Sequence, residues 1–251
     1  MSGHSKWSQI KRQKGILDVK RGAAFTKLGN SISISVRDGG GTSDPESNFK
    51  LRLAIDKARQ ANMPKENIQR AIDKGMRKGL EGLVLENVTY EGFGPGGTAL
   101  LIETITDNKQ RTLGTLRGLL DKRGGRIGSA GAVSFMFNAM GLINILKDGK
   151  SLDDALLIAA DSGAEDVEDG GDFFEIYTKP EELNLVKTKL ISAGVKVQDA
   201  ELFRKANTVV NISNKDQAQK IFALLEVLED SDDVHKVYSN FDIDQSILNT
   251  L

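Results

Sequence analysis

The apolar residues of this chain change rhythm near Leu80, and that change restricts the fold more than any other feature. Before it, large apolar side chains recur three and four positions apart, the spacing of one helical face. After it, β-branched runs broken by glycine alternate with further helical stretches, the order of an α+β protein. In the first part, Phe25, Leu28, Ile32 and Val36 share a face, and Gly39-Gly40-Gly41 ends the run. The alternation Ser31-Ile32-Ser33-Ile34-Ser35-Val36 also fits a strand, but the longer three-four pattern favours a helix. A second helix is predicted over 48–60 with Leu51, Ile55 and Ala58 inward. A third opens at Pro64, whose ring needs no backbone donor in a first turn, and runs to Gly75.

Beyond Leu80, strands are predicted over 84–91 and 98–105, and a helix over 110–122 capped by Asp107 or Asn108. Strands over 133–137 and 142–146, a helix over 152–160, a strand over 173–177 and a helix over 180–193 follow. Strands over 195–202 and 208–212, a helix over 215–228 and a strand over 234–241 complete a pattern resembling two split βαβ units. A length of 251 residues allows two or three domains.

Charge divides at the same place. Residues 1–80 hold 17 Lys and Arg against 7 Asp and Glu, net +10, and the remainder holds 17 against 28, net −11, giving the −1 of the whole chain. Such asymmetry points to a polyanion meeting the basic part. Cysteine is absent, which excludes disulfides, thiolate nucleophiles and Cys-ligated zinc and makes the cytosol the default compartment. His4 and His235 are the only histidines, poor material for a metal site or a Ser-His-Asp arrangement, so no metal, cofactor, small-molecule substrate or catalytic residue is expected. No run approaches the roughly 18 apolar residues of a membrane span, and no membrane partner is expected. The basic start could mimic a mitochondrial leader, but Trp7 and the helix after it read as parts of a folded domain.

Several segments carry candidate chemistry. Lys6, Lys11, Arg12, Lys14, Lys20, Arg21 and Lys27 are opposed only by Asp18, and 1–15 read as a mobile arm. Cations this dense can displace the counterions condensed on several phosphates, and Trp7 among them could stack on an unpaired base. Against this stands a solvated tail with Trp7 packed inward. A second basic cluster comprises Lys109, Arg111, Arg117, Lys122, Arg123 and Arg126, and a helix start near Asn108 would add backbone donors for a phosphate; a plain charged helix face fits equally well. Gly92-Phe93-Gly94-Pro95-Gly96-Gly97 satisfies G-x-G-x-x-G, yet a strand rather than a helix follows, so it reads as a loop between two strands. Asp161, Glu165, Asp166, Glu168, Asp169 and Asp172 read as a solvated acidic connection that repels nucleic acid.

At full length the motifs resemble the YebC family. The resemblance is carried by Gly3-His4-Ser5-Lys6-Trp7, Lys20-Arg21-Gly22, Phe25-Thr26-Lys27-Leu28, Leu51 through Arg59, Asn62-Met63-Pro64-Lys65, Tyr90 through Gly97, Thr106-Asp107-Asn108, Arg111-Thr112 and Gly124-Gly125. It implies an N-terminal three-helix domain followed by two ferredoxin-like α/β domains, the third inserted in the second, with limits 1–80, 81–134 plus 206–251, and 135–205. It implies a non-enzymatic, DNA-binding transcriptional regulator, or alternatively a translation factor that binds ribosomal RNA on the ribosome; a protein-interaction scaffold ranks below both. Carried over by position, the binding residues are Lys6, Trp7, Lys11, Lys20, Arg21 and Lys27, with Arg52 and Arg59 behind them; Arg12 and Lys14 join from the charge run, and Lys109, Arg111 and Arg117 form a second patch. The stretch Gly29-Asn30-Ser31-Ile32-Ser33-Ile34-Ser35 and Phe135, where Trp is common, depart from the family pattern.

Overall fold

Three helices form where the three-four spacing predicts them: α1 (Arg21–Asp38), α2 (Phe49–Gln60) and α3 (Lys65–Met76). The computed structural model describes residues 6–7, 21–76, 85–244 and 247. Ile32 and Val36 of α1 join Leu51, Ala54, Ile55 and Ala58 of α2, Met63, and Ile68, Ala71 and Ile72 of α3 in one buried cluster, with Phe25 and Leu28 packed against it. The serines between them do not break α1, because each finds an acceptor. The Ser33 hydroxyl donates to the carbonyls of Gly29 (2.9 Å) and Ala71 (2.8 Å), and that of Ser35 donates to Ser31 (2.8 Å). Asn48 caps α2 by accepting from the Leu51 amide at 3.1 Å. Close approach of α1 and α3 needs Gly75, where a Cβ would lie 2.5 Å from the Ser33 carbonyl oxygen.

The next elements are the hairpin β1 (Glu86–Phe93) and β2 (Ala99–Thr106), helix α4 (Lys109–Asp121) and the short β3 (Arg126–Ile127). The hairpin pairs Glu86 with Thr106 through Phe93 with Ala99, so Gly94-Pro95-Gly96-Gly97 is a turn between strands, as its context predicts. Strand β3 pairs antiparallel with β1, so β2 and β3 run parallel with β1 between them, a split βαβ unit closed by α4. Asn108, rather than Asp107, caps α4.

A second sheet is formed by β4 (Phe137–Leu146), β5 (Asp166–Asp169), β6 (Phe173–Thr178) and β7 (Val197–Ala206), with helices α5 (Leu152–Ser162) and α6 (Leu183–Ser192) in the connections. Its order β5-β6-β4-β7, with every neighbouring pair antiparallel, is the ferredoxin-like βαββαβ arrangement. Strand β8 (Val210–Ile212), helix α7 (Lys215–Asp230), strand β9 (Val234–Ser239) and strand β10 (Phe241–Ile243) complete the chain; β9 extends the first sheet beside β2, and β8 pairs with β10 in parallel.

Two local expectations fail for identifiable reasons. The strand expected over 133–137 is a 3-10 turn, Ser134–Met136, and β4 starts only at Phe137. The Glu91 carboxylate takes the backbone N–H groups of Gly131 (2.7 Å), Val133 (2.6 Å) and Ser134 (2.9 Å), leaving them unavailable to a ladder. Conversely, part of the acidic connection is a strand, β5, because its backbone pairs antiparallel with β6, and Lys205 on β7 offsets its charge by holding Asp166 at 2.7 Å and Glu168 at 2.8 Å. The described residues form two compact units: those of Leu17–Ser134 with Asp216–Tyr238, and those of Met1–Ile16, Phe135–Lys215 and Ser239–Leu251.

Candidate nucleic-acid interface

The cations singled out by the sequence fall into three groups once their partners are known. Lys6 and Trp7 are buried in the second unit, at 6 % and 3 % exposure. The Lys6 ammonium donates to the Asp242 carboxylate and to the Ile243 carbonyl of β10, so neither side chain is presented to a polyanion in this structure. The expectation that both reach a ligand therefore requires them to leave these partners. Burying an ammonium without such a partner is prohibitive, which is why Asp242 accompanies it. Lys11, Arg12, Lys14 and Lys20 lie outside the described residues, as do the side chain of Arg21 and most of the expected arm.

A second group is held by its own fold. Lys27 donates to the Glu229 carbonyl in the last turn of α7, a position where the helix dipole favours a cation. Arg52 donates to the carbonyls of Pro45 (3.0 Å) and Glu46 (2.9 Å) and pairs with the Glu46 carboxylate at 3.2 Å, fastening the loop before α2. At the start of α4, Lys109 pairs with Glu86 at 2.6 Å, and Arg111 pairs with Asp107 at 2.7 Å and Asp233 at 3.1 Å. The Asp233 hydrogen bond, then that from Asp107, raises the Arg111 pKa above its ordinary value. Thr112 donates to Asp233 at 2.7 Å, so this end of α4 is tied to the turn before β9. The Tyr90 hydroxyl joins by donating to the Lys109 carbonyl at 2.8 Å; burial raises its pKa, Lys109 opposes that and Asp233 adds to it.

The third group is exposed. Arg59 is 72 % exposed, with only Asp56 at 4.0 Å. Arg117, Lys122 and Arg123 are exposed and have no partner among the described residues, and Arg126 lies over the Phe93 ring at 4.9 Å. These four gather at the C-terminal end of α4 and the start of β3. Gly125 lets the chain turn there within 2.7 Å of the Phe93 carbonyl, a separation measured to the Cβ that any other residue would carry. Lys109 and Arg111 sit toward the opposite end of the helix, about 9 Å along the axis from Arg111 to Arg117 and about 18 Å from Lys109 to the last helical residue, at 1.5 Å per residue. The second basic patch is therefore split: one end is neutralised and the other is open. Lys50 on α2 and Lys65 on α3 are also exposed without partners among the described residues, and sequence reading passed over both because each stands beside ordinary helix-surface residues.

The acidic residues are less free than a solvated connection implies. Burial lowers the Lys205 pKa, but hydrogen bonds to Asp166 and Glu168 outweigh it and raise the value, and the ammonium lies 3.7 Å from the Tyr177 ring centre. Burial pushes Asp169 up, but Lys147 at 2.8 Å and the Gly171 amide hold it below the usual range. Among the described residues no cluster of carboxylates and imidazoles is arranged to hold a metal ion, and no helix is long and apolar enough to cross a membrane.

Two family models cover the chain: TACO1/YebC protein N-terminal domain over residues 5–78, and TACO1/YebC second and third domain over 85–241. A protein of Roseiflexus castenholzii is 52 % identical over 246 residues, covering 97 % of this chain and 96 % of the relative. One of Persephonella marina is 47 % identical over 249 residues, covering 99 % and 98 %. Both carry the name probable transcriptional regulatory protein. The crystal structure of a conserved hypothetical protein from Aquifex aeolicus superposes with a TM-score of 0.83 at 42 % identity, covering 91 % of this chain and 93 % of that one.

Proposed function

Since the chain belongs to the TACO1/YebC family, we propose that it is a non-enzymatic, nucleic-acid-binding regulator of gene expression, and specifically a cytoplasmic DNA-binding regulator of transcription. The names of its relatives support a regulatory role. The observation that carries the nucleic-acid reading is the open cationic end of α4: Arg117, Lys122 and Arg123 are exposed with no partner among the described residues, whereas Lys6, Lys27, Arg52, Lys109 and Arg111 are tied to oxygens of the protein itself. Unpaired surface cations are what polyphosphate recruits, because each contact releases a condensed counterion. By residue type Lys11, Arg12, Lys14, Lys20 and Arg21, whose side chains lie outside the described residues, are further candidates for phosphate contact, as are the exposed Arg59, Lys50 and Lys65. Such a surface positions a duplex and carries little sequence information, so low intrinsic sequence specificity follows. The division into 1–80, 81–134 with 206–251, and 135–205 belongs to the same proposal.

Crosslinking in cells, followed by sequencing of the bound nucleic acid, tests the choice of DNA. The expected result is recovery of chromosomal DNA, including promoter regions. Recovery of ribosomal RNA without promoter DNA would replace the transcriptional reading by a ribosomal one.

A further inference from the structure

Of the nine large apolar side chains exposed among the described residues, five lie on the two helices that cover the ferredoxin-like sheet. Helix α5 packs on β5 and β6, helix α6 on β4 and β7, and the two helices touch. Ala155, Ala159 and Ser162 of α5 and Leu183, Val186 and Leu190 of α6 take the inner positions. Leu157 and Leu185 point the other way at 100° per residue, and they are 70 % and 56 % exposed. Leu152, Leu156 and Ile191 on the same two helices are exposed as well, a concentration of apolar surface that marks an interaction site.

Charge on this layer is sorted by helix. The charged residues of α5 are all acidic, Asp153, Asp154 and Asp161, and those of α6 are all basic, Lys187 and Lys189. A groove of about 340 Å³ runs between the helices, with Asp161 on one wall and Lys189 on the other. Both are exposed, and neither has a partner among the described residues, each other included. We propose that this face receives a second copy of the same chain about a twofold axis, so that Lys189 of each copy meets Asp161 of the other while Leu157 and Leu185 are buried at the centre. A twofold interface must be complementary to itself. A surface of one sign would repel its own image, whereas a twofold axis lying along the groove sets the acidic helix of one copy over the basic helix of the other. The apolar centre with a charged rim is the usual anatomy of such a contact.

Sedimentation velocity of the full chain across the micromolar range tests this. A concentration-dependent dimer is expected. Leu157→Asp is expected to leave only monomer with an unchanged circular dichroism spectrum. Lys189→Glu places two like-charge pairs across the axis and is expected to weaken the dimer by about tenfold or more. Combining it with Asp161→Lys restores the wild-type constant, a rescue that general damage to the fold cannot give. A monomer at every concentration, a dimer that survives Leu157→Asp, or a double variant as weak as the single one would each overturn the proposal.

Discussion

Glu91 shows how much one side chain can decide. Three backbone N–H groups converge on its carboxylate and shape the loop that leads out of the first sheet. Burial pushes its pKa up, but the amides of Val133, Gly131 and Ser134 outweigh that and hold it below 4.5. Its contribution to stability is therefore complete above the unfolded pKa and is lost as pH falls through the lower folded value. Glu91→Gln keeps the shape but loses the charge, and is expected to lower stability by about 1–3 kcal/mol at neutral pH. Denaturant melts of both proteins should converge as the pH is lowered through the folded pKa of Glu91; a gap that stays constant there would remove the carboxylate's charge from the explanation. Lys6 belongs to the same scale. Its type was plain in the sequence, but its burial depends on Asp242, 236 positions away, and no local pattern reports so distant a partner.

Helices were the legible elements. Phe25, Leu28, Ile32 and Val36 lie against the cluster that their spacing indicates, and Asn48 and Asn108 cap where their side chains can reach an amide. The strands were harder, because a strand needs a neighbour. Pairing with β6, with Lys205 offsetting the acids, makes a strand of Asp166–Asp169, and Glu91 denies one to the residues before Phe137. The packing of α1 on α3 could not be read either, since it rests on the missing Cβ of Gly75. Gly75→Ala gains helix propensity, yet its methyl would meet the Ser33 carbonyl oxygen and the Val36 Cβ at 2.5 and 2.7 Å. Overpacking of this kind costs about 1–3 kcal/mol, so the variant is expected to melt lower than the parent. An unchanged or raised melting temperature would mean that α1 and α3 separate without penalty.

At the scale of the whole molecule, the charge asymmetry along the sequence does not by itself tell which of the described cations are available. Basic residues on the first 80 positions outnumber acids, but Lys6 and Arg52 bond to oxygens of the protein itself, and Arg59 is the one cation of the first-choice set that is described and mainly exposed. The open cluster at Arg117, Lys122 and Arg123 instead lies in the part of the chain whose net charge is negative. Sequence alone supplied the family, while the separation of paired from unpaired cations required the fold. Phosphate is expected to contact the open end of α4 and not the closed end. The salt dependence of duplex DNA affinity, followed by fluorescence anisotropy, measures this directly. Each lost phosphate contact reduces the slope of log affinity against log salt by about 0.9, so Arg117→Glu, Lys122→Glu and Arg123→Glu together should flatten it by about 2.7. Lys109→Gln with Arg111→Gln is expected to leave that slope unchanged; a triple variant with the parent's slope would contradict phosphate contact at the open end of α4.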